Sequence, residues 1–199
     1  MYLSRILLAG TMCRNPYEIH RTLWKLFPED AQAERDFLFC LEKSERTGAL
    51  IWMQSERRPA VSHNGAKILG CKEYQLKLQK DQRLRFLLVA NPVKTIDDEN
   101  GRTTEKGDIK KCRVPLIREE EQRDWLSRKL KPAAEPEELL IDPRHPLYFR
   151  KSGMSGKIKP VVFQGILKVA KPDALVELIG SGIGPAKAFG CGLMMVRRV

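Results

Sequence analysis

A strand, helix, strand, strand order occurs twice along these 199 residues. It predicts an α+β fold of two tandem ferredoxin-like (β-α-β-β-α-β, RRM-like) units, about 1–80 and 84–199, the second complete and the first lacking a visible second helix. Three features carry the reading: an apolar strand opening each half, a proline-started helix after the first, and paired strands around short polar turns.

Residues 2–9 form an apolar strand bounded by Gly10. Asn15 then reads as a helix N-cap, Pro16 as the first helical residue and Glu18 as the third, with the helix running to about Phe27 before Pro28. Residues 36–43 and 49–55 flank a turn at Thr47 and Gly48 and predict a hairpin. Residues 58–70 read as irregular and 72–78 as a further strand.

In the second half, 84–96 reads as one long strand carrying Pro92, and 97–108 as a mobile hairpin tip. Residues 119–130 form a helix with acids in the first turn and Arg128 and Lys129 in the last, matching the macrodipole. Strands at 139–149 and 158–169, a short helix at 173–179 and a final strand at 192–198 complete the unit.

Composition bounds the function. The net charge is +11, and residues 144–199 hold ten Lys or Arg against only Asp173 and Glu177. A basic surface of this kind favours nucleic acid or an anionic membrane, with salt-dependent binding. With 31% charged residues the chain is expected to be a soluble globular protein, and its opening apolar run is too short to span a bilayer and lacks signal-peptide features. A cytoplasmic location is the expectation. Cys13, Cys40, Cys71, Cys112 and Cys191 show neither disulfide nor zinc-knuckle spacing. They read as reduced packing residues, and no metal or cofactor is implied.

Between residues 180 and 192, five glycines surround Lys187. Glycine lets backbone amides approach phosphate oxygens closely. The pattern is neither a P-loop nor a dinucleotide fingerprint, which leaves a phosphate backbone as the better fit. A helix C-cap at Gly180 accounts for Gly180 and Gly182 but not for Gly184, Gly190 and Gly192. Four cations, among them Lys157 and Lys159, crowd a Gly/Ser-rich tip at 150–159, a shape suited to a nucleic-acid groove.

On the first helix, Ile19, Leu23, Leu26 and Phe27 share the core face, so His20, Tyr17, Arg21 and Trp24 are expected to point away from it. The plainer reading is a surface histidine. RNA cleavage nevertheless needs only in-line geometry, a proton acceptor for the 2′-OH, a proton for the leaving 5′-oxygen and positive charge at phosphorus. A histidine with a tyrosine and a cation beside it can supply these without metal. His63 and His145 read as structural or surface groups, and Trp52 and Trp125 as core. A metal-dependent nuclease would need clustered carboxylates, and Asp97, Asp98 and Glu99 are the densest non-helical run.

The chain as a whole resembles the CasE repeat-processing endoribonucleases of type I-E CRISPR systems, in the RAMP group. The resemblance is carried by MYLSR at 1–5, His20 with Leu23, Trp24, Leu26, Phe27 and Pro28, RDFLF at 35–39, ANPVKT at 90–95, CRVPL at 112–116, SGK at 155–157, GIGPAK at 182–187 and GCGL at 190–193. It implies tandem ferredoxin-like domains that cut CRISPR precursor RNA at the base of the repeat hairpin without metal. It also implies retention of the crRNA among the other Cascade subunits. The family's catalytic histidine maps onto His20 and its supporting tyrosine onto Tyr17. RNA contacts map onto Lys157, Lys159 and the glycine-rich loop at Gly184 and Lys187, while a phosphate role for Arg21 rests on its place beside His20. The alternative is a non-catalytic RNA-binding subunit of a ribonucleoprotein complex.

Overall fold

The computed structural model describes residues 1–13, 16–27, 35–45, 47–60, 65–151 and 154–199. In the first half, β1 (Tyr2–Ala9) leads to α1 (Pro16–Trp24), then β2 (Phe37–Glu45), β3 (Gly48–Ser55) and β4 (Ala66–Glu73). The second half contains β5 (Arg83–Ala90), β6 (Val93–Asp97), β7 (Lys111–Pro115), α2 (Glu119–Leu130), β8 (Ala134–Pro143), β9 (Leu147–Lys151), β10 (Met154–Ile158), β11 (Val161–Val169), α3 (Pro172–Ser181) and β12 (Met194–Arg198).

Each half builds a four-stranded antiparallel sheet, ordered β2-β3-β1-β4 and β12-β5-β11-β8. Counting only the strands of each four-stranded sheet in chain order, both orders read 2-3-1-4 in one direction or the other, as expected for the ferredoxin-like pattern. Two ribbons are appended to the second half, β6 with β7 and β9 with β10.

Proline explains most departures from expectation. The strand expected at 84–96 is cut by Asn91 and Pro92 into β5 and β6, and that at 158–169 begins after Pro160, which separates β10 from β11. The single strand expected over 139–149 is two strands, β8 and β9, and β8 starts five residues earlier. Residues 66–70, read as irregular, belong to β4, which ends at Glu73 instead of running to 78. The tip at 97–108 is anchored rather than loose. The Asp98 side chain accepts hydrogen bonds from Arg102 Nη2 at 2.6 Å and Cys112 Sγ at 3.1 Å. The expected N-cap Asn15, Pro28 and His63 lie outside the described residues.

Two cores lie under the sheets. Ile19, Leu23, Leu26 and Phe27 of the α1 segment pack on Ile6, Leu8, Phe39 and Met53. Trp125, Leu126 and Leu130 of α2, with Leu175 and Ile179 of α3, cover Phe86, Leu88, Phe163 and Leu167. A third cluster joins the halves, bringing Leu38 and Cys40 of β2 against Val89, Val162, Cys191 and Leu193, with Trp52 partly buried beside them. Polar ties cross the same boundary: Gln54 Nε2 donates to the Ile179 carbonyl at 3.1 Å and Arg144 Nη1 to the Leu41 carbonyl at 3.2 Å.

Candidate nucleic-acid interface and active site

The amphipathic spacing of α1 places Ile19 and Leu23 inward, but His20 is not on an open face as expected. It is half-buried, its ring 5.4 Å from that of Phe37 and 6.5 Å from that of Phe39, with Trp24 edge-on at 6.3 Å. Helical periodicity marks only the side turned toward α1's own sheet. The aromatic residues of β2 reach past that side and enclose the imidazole.

Enclosure sets the chemistry. Burial, and after it the Arg35 guanidinium, push the His20 pKa down to about 4. The imidazole is therefore neutral near pH 7. Its Nε2 is buried and has no hydrogen-bond partner among the described residues, an unusual state for a buried nitrogen. Tyr17 lies one turn earlier on the same helix and is half-buried. Arg21 is exposed and pairs with Glu18 at 3.4 Å.

Two cationic elements meet α1. One is the β9–β10 ribbon, where Lys157 stands opposite Tyr148 with its ammonium 5.3 Å from the ring centroid. Lys159, just beyond β10, is half-buried. The other is the turn at Lys187–Phe189. Phe149 of β9 and Phe189 of the turn hold these elements together, their rings 4.4 Å apart. Neither phenylalanine stands out in the sequence, because a contact between residues forty positions apart leaves no periodic trace.

The glycine-rich segment is shaped by packing as well as by any ligand. Gly182, not Gly180, caps α3, with φ +77° and its N–H bonded to the Leu178 carbonyl. A Cβ at Gly182 would lie 2.7 Å from Leu38, one at Gly184 2.8 Å from Trp125 and one at Gly190 3.2 Å from Phe39. Lys187 Nζ donates to the Ser181 carbonyl at 2.5 Å. An ammonium carries three N–H donors, so two remain for other acceptors. His145 is exposed, and Trp125 is buried against Phe163 as expected.

Two sheets of one strand order packed through their faces, with a basic ribbon and a glycine-rich turn converging on a histidine-bearing helix, define a tandem ferredoxin-like protein with a cationic working surface. The chain belongs to the CRISPR associated protein family, which residues 1–198 match. It is 45% identical over 195 residues to the CRISPR system Cascade subunit CasE of Escherichia coli K12, covering 98% of each chain. The crystal structure of Cas6e from E. coli K-12 superposes with a TM-score of 0.87 at 42% identity over the whole of both chains. A CRISPR endoribonuclease Cse3 bound to a 19 nt RNA matches with a TM-score of 0.78 at 28% identity, covering 99% of this chain and 100% of that one.

Proposed function

We propose that this protein is a metal-independent, sequence-specific endoribonuclease that cuts CRISPR precursor RNA at the base of the repeat hairpin and keeps the crRNA within a cytoplasmic Cascade complex. The observation that carries the reading is the state of His20, a neutral imidazole whose Nε2 has no partner among the described residues, on the helix where the basic ribbon and the glycine-rich turn converge.

A neutral imidazole can accept the 2′-OH proton. The 2′-oxygen then attacks phosphorus, the P–O5′ bond breaks, and the 5′-oxygen leaves as a hydroxyl, taking a proton from the Tyr17 phenol or from solvent. The products are a 2′,3′-cyclic phosphate and a 5′-OH. Arg21 neutralises the scissile phosphate by exchanging Glu18 for it, an inexpensive exchange because exposed ion pairs are worth about 0.2–1 kcal/mol. Lys157, Lys159, Lys187 and the backbone around Gly184 hold the RNA.

The same enclosure of His20 supports a rival reading, in which the histidine is structural and the protein is a non-catalytic RNA-binding subunit. Incubating wild type and His20→Ala with end-labelled repeat RNA in EDTA decides between them. One cut at the hairpin base with cyclic-phosphate ends, lost in the variant while affinity is kept, is the expected result. Binding without a cut by either protein refutes the enzyme reading, and cutting that requires Mg²⁺ refutes the mechanism.

A further inference from the structure

Beside the 184–189 turn lies a second cationic feature, a cleft of about 750 Å³. Its walls come from three elements: Thr95 and Arg113 of the β6–β7 ribbon, Trp125 and Lys129 of α2, and the turn with Lys187, while Arg35 stands at its edge ahead of β2. None of the described residues that line it is acidic.

Many other cations of the molecule are neutralised. Arg5 pairs with Glu42, Arg57 with Asp36, Arg83 with Glu137, Arg102 with Asp98 and Arg123 with Glu119. Among the described residues, Arg35, Arg113 and Lys129 are exposed and have no carboxylate partner. Arg35 and Lys129 lie close enough to Lys187 that both lower its pKa, after burial, and Arg113 lines the same cleft. Arg35 acts on His20 as well. The cleft is therefore electrostatically continuous with the histidine site. Three convergent positive charges without counter-charges raise one another's energy, and an anion relieves this.

We propose that this cleft binds the single-stranded RNA that continues from the foot of the hairpin, gripping its phosphates through Arg35, Arg113 and Lys129. This deepens the endoribonuclease reading and rests on it. The cleft has the volume of a small-ligand pocket, room for about two nucleotides. Trp125 is only 3% exposed and so offers no stacking face. Recognition is thus through phosphate charge and tolerant of sequence.

The test uses full-length protein and two repeat RNAs made uncleavable by a 2′-deoxy substitution at the scissile nucleotide. One is a blunt hairpin, and the other carries six-nucleotide single-stranded flanks. Wild type is expected to bind the flanked RNA more tightly. Arg113→Gln/Lys129→Gln is expected to lose about tenfold on the flanked RNA, equivalent to about 1.4 kcal/mol. Its log Kd against log salt slope on that RNA should shrink by about 1.4, since each phosphate contact to a single strand contributes about 0.7. Scrambling the flanks should change nothing. Equal affinity of wild type for the two RNAs, or equal loss by the variant on both, overturns this inference and leaves the endoribonuclease reading standing. Wild type that binds neither RNA overturns both.

Discussion

Replacing Gly184 with alanine separates what the fold requires of the glycine-rich segment from what RNA requires. Gly184 has φ +82°, and a Cβ there would sit 2.8 Å and 2.9 Å from two carbons of the Trp125 ring. Trp125 cannot yield cheaply, because it is buried and stacked on Phe163 at 6.0 Å. The left-handed backbone costs alanine about 1–2 kcal/mol and overpacking a filled core about 1–3 kcal/mol, so the sum is roughly 2–5 kcal/mol. For a chain of this size each kcal/mol shifts Tm by about 2–4 °C, which puts the expected fall at roughly 4–20 °C, with no RNA present. Gly101 supplies the control. It also has a left-handed φ, +63°, but a Cβ there meets nothing within 4 Å, so Gly101→Ala isolates backbone strain. Urea unfolding of the two variants should therefore differ by the Trp125 contact alone. A Gly184→Ala protein as stable as Gly101→Ala, yet deficient in RNA binding, would refute the packing argument and return Gly184 to a purely phosphate-binding role.

The imidazole proton resonances of His20 should titrate near pH 4 in the free protein, well below the ordinary 6.5, and Arg35→Gln should move the midpoint up only in part, because burial is the larger cause. The folded-state pKa lies below the unfolded one, so the stabilisation from a neutral His20 is complete above about pH 6.5 and is lost as pH falls toward 4. A His20 midpoint at or above 6.5 contradicts this. Gly156→Ala tests the bond between ribbon and turn. Its Cβ would lie 2.2 Å from the Phe149 ring and drive that ring off Phe189, so affinity for hairpin RNA should fall by about tenfold. Tm should drop by no more than about 10 °C, as expected for overpacking a half-buried ring. Unchanged affinity would show that the ribbon needs no anchoring by Phe189.

Local signals in the chain were enough for the α+β class and for the elements whose signals are strong. The 2–9 strand and the 119–130 helix match β1 and α2, since unbroken apolar character and a helix charged in the sense of its dipole are both local properties. Strand ends were legible only where a turn residue marks them. Pro92 and Pro160 are visible, but a proline between apolar runs does not say whether the strand bends or ends; after Pro92 a ribbon begins, and at Pro160 one ends and the sheet strand β11 begins. Tyr17 and His20 could be picked out on α1. The enclosure of His20 by Phe37 and Phe39 could not, because it depends on how β2 crosses the helix. Gly184 and Gly190 read as ligand-contacting residues, and the packing of Trp125 and Phe39 against them is a second demand for glycine that the sequence does not display. Arg35, Arg113 and Lys129 were hidden for the same reason, being scattered in sequence and joined only by the fold.

The route of the chain through the site has a consequence for when the protein becomes competent during synthesis. His20 and the sheet that carries it are translated first. The turn at Lys187–Phe189 that α1 meets, and β12, which pairs with β5 to close the second sheet, come last. At roughly 5–20 residues per second, the ribosome needs on the order of ten seconds to go from the end of β4 to Leu193. Throughout that interval the apolar faces of Leu38, Cys40 and Trp52 wait for Val89, Cys191 and Leu193. A chain that stops before Lys187 bears the histidine but has neither the turn nor the cover that Cys191 and Leu193 give the inter-sheet face. Such a chain is marked for quality control by exposed surface before it can handle RNA.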